Sequence, residues 1–168
     1  MGSDIDRLLD EHDAAAVAAA IRSGEVDAAE VMAVSIARAE ERNPALNAFV
    51  STRFDQAAQE AAALDRDAPF AGVPFVVKDL AAQVAGLPHT RGSRLFADDV
   101  SQSDSELVRR YRAAGLIILG TTNAPELGVC LADDGKRKAH GYTDFGSSKW
   151  GPSMNARLPW AFGRSTYQ

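Results

Sequence analysis

The sequence predicts an α/β domain: N-terminal helices followed by part of a mainly parallel or mixed sheet covered by helices. Three observations carry that expectation. Residues 13–42 combine capping residues with an apolar period near 3.6. Two short continuous apolar runs, at 73–77 and 116–119, have the density of strands buried on both faces. One capped helical segment separates them, and strand–helix–strand order with apolar strands argues for parallel pairing. At 168 residues and 46% hydrophobic content, the chain can bury a core without staples.

The elements follow in order. The opening MGSDIDRLLDEHD is acidic and lacks the apolar stretch of a signal peptide. Asp13 can cap the helix AAAVAAAIRS, and Gly24 supplies the left-handed position that ends it. Asp27 opens a second helix, with Glu30 three places on as in a capping box. Ala28, Val31, Met32, Ser35, Ile36 and Ala39 form its buried stripe, which puts Arg38, Glu41 and Arg42 on the wet side. Asn43-Pro44 stops it. A short strand is expected over 46–50 and a further helix over 54–64.

The apolar run 73–77 ends in Lys78-Asp79. Gly86, Pro88 and Gly92 punctuate a loop, after which Ser103 or Asp104 caps the helix SELVRRYRAA, closed by Gly115. The second strand, 116–119, leads into Gly120-Thr121-Thr122-Asn123-Ala124-Pro125-Glu126. From Leu131 the regularity is lost. Residues 1–130 therefore read as one structural unit and 131–168 as a weakly specified tail.

Composition narrows the function. Eighteen basic against 23 acidic residues give a net charge of −5, the opposite of a nucleic-acid footprint. No apolar run is long enough to span a bilayer, so neither a membrane nor a nucleic acid is expected as partner. The expected location is the cytoplasm. His12, His89 and His140 are too scattered for a metal site, and Cys130 reads as a small buried hydrophobe. No cofactor is expected. No two glycines are adjacent or separated by one residue, which excludes GxGxxG, and neither GxSxG nor SxxK occurs.

What remains is Lys78. A lysine at the C-terminal end of a buried strand sits where α/β sheets place ligands and catalytic groups. Partial desolvation of its ammonium would make it a base. The alternative is a strand-end lysine reaching solvent and pairing with Asp79. Spacing alone leaves both readings open.

The blocks AIRSGEVDAAEVMAVSIARAEERNPALNAFV, PFAGVPFVVKDL, GLPHTRGSRLF and DSELVRRYRAAGLIILGTTNAPELG resemble, in order and spacing, the start of the amidase signature family. The resemblance implies amide hydrolysis by a Ser–Ser–Lys triad, with an amide as substrate and Lys78 as the triad's lysine. In that family the lysine, when neutral, relays a proton through a cis-peptide serine to the nucleophilic serine. The segment 122–126 matches a block expected to be mainly structural. The family's Gly-Gly-Ser-Ser-Gly-Gly loop has no counterpart in the 168 residues, although the stretch 159–166 resembles its lead-in. Ser147, Ser148 and Ser165 lack the flanking glycines and read as turn residues.

The expectation is thus an N-terminal fragment of an amidase, inactive alone, with a sheet edge left uncovered for self-association or a partner. Two rivals stand beside it: a non-catalytic binding module, and a small enzyme that uses Lys78 to form an imine.

Overall fold

The computed structural model describes residues 2–124 and 126–128. The tail expected over 131–168 lies outside them, as do Cys130, His140, Ser147, Ser148 and Ser165. The described chain is an α/β fold in which helices flank a three-stranded mixed sheet.

Helix α1 (Gly2–Glu11) forms where the sequence shows only an acidic start. It buries Ile5 and Leu9, one turn apart, against Val17, Ile21, Val31 and Val73. Helix α2 (Ala14–Ser23) is capped as expected. The Asp13 carboxylate accepts from the Ala16 N–H at 2.9 Å, and Gly24, at φ 78°, donates to the carbonyls of Ala20 and Ile21.

Helix α3 (Ala28–Leu46) starts at Asp27, which accepts from the Ala29 N–H at 2.8 Å. Two expectations fail along it. Arg38 is not on the wet side: it is only 6% exposed. Its Nε donates to Asp6 at 2.8 Å and its Nη1 to Asp10 at 2.8 Å, both on α1. The acidic opening is thus the counter-charge that lets an arginine lie under a helix. Nor does Asn43-Pro44 stop the helix, which continues to Leu46. Pro44 falls in the last turn, where its missing N–H forfeits one bond to the preceding turn without interrupting the turns before it. The end is instead made by Asn47, left-handed at φ 48°, whose N–H reaches the Asn43 carbonyl at 2.7 Å. The Asn43 side-chain oxygen then accepts from the N–H groups of Ala48 and Phe49, launching the next strand.

Strand β1 (Phe49–Thr52) and helix α4 (Phe54–Ala62) lie within a few residues of their expected places. Strand β2 (Pro74–Lys78), helix α5 (Glu106–Ala113) and strand β3 (Ile117–Thr122) complete the strand–helix–strand unit. The cap of α5 is Ser105, whose hydroxyl accepts from the Val108 N–H, rather than Ser103 or Asp104. Asp104 is engaged elsewhere, with the Ala85 N–H and with Arg112.

The sheet order is β1-β3-β2, with β2 parallel and β1 antiparallel to β3. The central strand is buried from Ile117 through Thr121, as its apolar run predicts. The expectation that β2 is buried on both faces is corrected. Phe75 and Val76 are half-buried and Lys78 is exposed, because among the described residues β2 is an edge strand. Gly120 lets β1 pass close: a Cβ there would lie 2.2 Å from the Ser51 carbonyl oxygen. Beside it, both pairings shift register, between Phe49 and Ser51 on β1 and between Phe75 and Val76 on β2.

Beneath the sheet, Glu60 of α4 receives Arg53 at 2.6 Å and Arg112 of α5 at 3.0 Å. Burial pushes the Glu60 carboxyl up, but hydrogen bonds and charge from Arg53, then from Arg112, outweigh it and hold it below its ordinary 4.5. Arg53 also donates to the Ile118 carbonyl at 2.9 Å, so the cluster ties two helices to the central strand. No described helix is long and apolar enough to cross a membrane.

Candidate active site

Because β2 and β3 are parallel, their C-terminal ends share one edge of the sheet, where α/β folds receive ligands. Lys78 is the last residue of β2 and pairs in register with Thr122. Directly after it the backbone bends. The Asp79 N–H still reaches the Thr122 carbonyl at 2.9 Å, while the Leu80 N–H folds back on the Lys78 carbonyl at 2.8 Å. That bend leaves Lys78 exposed and turns Asp79 inward, where it is 1% exposed. Lys78 is where the sequence places it, exposed at the end of β2.

Asp79 is held by a loop that the sequence shows only as Gly/Pro punctuation. Its Oδ2 accepts from both the backbone N–H and the hydroxyl of Thr90, which is fully buried. The neighbouring His89, also buried, has Nε2 2.9 Å from the Leu80 carbonyl. A carbonyl can only accept, so Nε2 is the donor in this bond. The chain then reverses at Arg91 and Gly92, with φ values of 53° and 69°. Arg91 pins the loop from outside, 3.2 Å from the Asp99 carboxylate and stacked 4.4 Å over the Phe96 ring. Its carbonyl accepts from the Leu127 N–H at 2.8 Å, in the segment that follows β3.

The exit of β3 is fixed from its other side. Asn123 donates its backbone N–H to the Ala48 carbonyl and its side-chain amide to the Asn47 carbonyl, each at 2.8 Å. The block around Asn123 therefore joins the end of β3 to the start of β1, a structural task.

The histidines do not converge: His12 follows α1 at the surface, whereas His89 is buried beside Leu80. Among the described residues, no group of three His, Cys, Asp or Glu side chains could hold a metal ion. Sequence reasoning missed Thr90 and His89 as partners of the strand end. Only the Lys-Asp pair at the end of an apolar run marks the place.

Comparison with known proteins supplies the context. Residues 30–143 match the family model described as Amidase. The chain is 43% identical over 126 residues to AmiC of Mycobacterium tuberculosis, covering 74% of this chain and 26% of that protein. It is 35% identical over 156 residues to an acylamidase of Rhodococcus erythropolis, covering 89% of this chain and 29% of the relative. Among solved structures, a 6-aminohexanoate cyclic dimer hydrolase complexed with substrate superimposes with a TM-score of 0.70 at 31% identity. That superposition covers 84% of this chain and 27% of the hydrolase. The chain thus spans between a quarter and a third of the length of the relatives it matches. On the family match and on these likenesses of sequence and fold, the chain belongs to the amidase family, the amidase signature enzymes.

Proposed function

We propose that this chain contributes the lysine-bearing end of the sheet to an amide hydrolase, with Lys78 as the general base. The observation that carries the proposal is the position of Lys78: a lysine on the C-terminal end of a strand, on a bend stapled from behind. By its resemblance to the family, Lys78 takes the proton of a nucleophilic serine through a second serine. The serine oxygen then bonds the amide carbon, and the carbon–nitrogen bond breaks as the proton passes to the leaving amine. Water afterwards releases the acyl group. The Gly-Gly-Ser-Ser-Gly-Gly loop required for this is absent from the 168 residues. The 168-residue polypeptide by itself is therefore expected to hydrolyse no amide, and an amide as substrate belongs to the complete catalytic assembly.

The test is a chimera in which residues 1–124 replace the matching segment of the Rhodococcus acylamidase. It is expected to hydrolyse the acylamidase's own amide substrate, and Lys78→Ala in it should lower kcat by about a thousandfold or more, with the melting temperature held. A folded chimera whose turnover survives Lys78→Ala overturns the assignment. Lysine-dependent hydrolysis by the 168-residue polypeptide would overturn the claim that it is inactive alone.

One observation favours a second reading, a self-associating binding module. Among the described residues β2 is an edge strand, with Phe75 and Val76 only half-buried. Sedimentation equilibrium separates the readings. A defined dimer lost on Val76→Lys supports edge pairing, and a monomer at all concentrations removes it.

A further inference from the structure

We propose that Asp79 is a positioning residue whose buried carboxylate, through Thr90, locks the exits of β2 and β3 into one unit behind Lys78. The inference rests on the reading of Lys78 as base and adds what fixes it in place.

Three observations combine. First, Asp79 is a carboxylate at 1% exposure within an α/β edge otherwise made of backbone turns, and such a group is costly unless its hydrogen bonds accomplish something. Its Oδ2 takes two donors from Thr90, and its Oδ1 is buried without a hydrogen-bond partner among the described residues. A role confined to filling space would be met by an apolar residue at less cost. Second, the same loop grips the residue after Asp79, through the Leu80 carbonyl and His89 Nε2. Both residues following Lys78 are therefore held by consecutive loop residues, which fixes the direction in which Lys78 leaves the strand. Third, the next residue, Arg91, uses its carbonyl to hold the Leu127 N–H after β3. Disturbing Asp79 should therefore be felt at Leu127, which is not among its hydrogen-bond partners.

Amide hydrogen exchange on the full 168-residue chain tests this, with the 13Cε resonance of Lys78 as a side-chain signature. Thr90→Val removes the hydroxyl at nearly constant volume, and Thr90→Ser restores it. Thr90→Val is expected to speed exchange at Leu127 at least tenfold and to move the Lys78 resonance. Val31 and Met32, buried in α3, should stay within twofold of the original. Thr90→Ser should resemble the original chain at all these positions, and Asp79→Asn should act in the same direction as Thr90→Val. Unchanged exchange at Leu127 in Thr90→Val overturns the proposal. So does equal acceleration of Val31 and Met32, which would mean general loosening. Because exchange needs no turnover, failure here is distinct from failure of Lys78 as base, which the chimera decides. If Asp79→Asn does not fold, the Val/Ser pair at Thr90 still gives the answer.

Discussion

Gly120→Ala should break the sheet, against the usual sign of the exchange. Where the backbone permits it, replacing glycine by alanine stabilises a protein by about 0.4–1 kcal/mol through the unfolded chain. At Gly120 the added Cβ would sit 2.2 Å from the Ser51 carbonyl oxygen and 3.0 Å from the Thr52 Cα, both backbone atoms of β1. An ordinary carbon–oxygen contact is about 3.3 Å, so β1 must retreat by roughly 1 Å. That retreat strains the β1–β3 ladder and the flanking bonds from the Arg53 N–H to Leu119 and from the Asn123 N–H to Ala48. Losing two such bonds at about 1 kcal/mol each, with about 1–3 kcal/mol of overpacking, gives a loss of about 3–5 kcal/mol. Gly24→Ala is the control: nothing lies within 4 Å of its added Cβ, and only the left-handed φ of 78° opposes it. Its cost should be about 1–2 kcal/mol. Urea unfolding followed by far-ultraviolet circular dichroism measures both. A Gly120→Ala variant no less stable than Gly24→Ala would refute the reasoning, because the steric clash would then be relieved without loss.

Other expectations rest on the charged clusters. Arg38→Met should keep the packing under α3 but leave Asp6 and Asp10 without their guanidinium, costing about 2 kcal/mol after allowance for the half-exposed carboxylates. Trypsin cleavage after Arg7 on α1 should quicken in parallel; a change under about 0.5 kcal/mol would mean that the cluster is idle. Glu60 titrates below 4.5 in the folded chain, so its stabilisation is complete above that value and disappears as pH falls through the lower, folded one. Glu60→Gln should therefore weaken the fold at pH 7 and show a smaller deficit in acid, as unfolding curves at both pH values would reveal. A deficit that is the same at both would remove the ionic account.

Where the signal was local, the sequence showed it. Asp13, Asp27 and Gly24 act within a few residues, and each does what its type predicts. The end of an apolar run placed Lys78 on the strand edge without any knowledge of its neighbours. Failures begin where a residue is governed by something distant. Arg38 sits beside the buried stripe of its helix, and only α1, about 30 positions earlier, gives it counter-charges. The spacing of Ile5, Leu8 and Leu9 was the available sign of that helix, hidden by its acidic composition. The cap of α5 was expected at Ser103 or Asp104, and the neighbouring Ser105 is an equally capable residue type. Tertiary bonds settled it: the Ser105 N–H to the Gln83 carbonyl and Asp104 to the Ala85 N–H. Thr90 was illegible for the same reason, since eleven positions and a chain reversal separate it from Asp79.

These distances in sequence bear on what the chain can do. The bend after Lys78, the Asp79–Thr90 contact and the Asn123 bridge all fix backbone, and none covers the lysine. A lysine becomes a useful base chiefly when burial or a neighbouring cation disfavours its ammonium. Here the described fold supplies direction and rigidity, with Lys78 exposed at the end of β2. On the proposed reading of Lys78 as base, the catalytic assembly should also cover the C-terminal edge of β2 and β3 and exclude water from it.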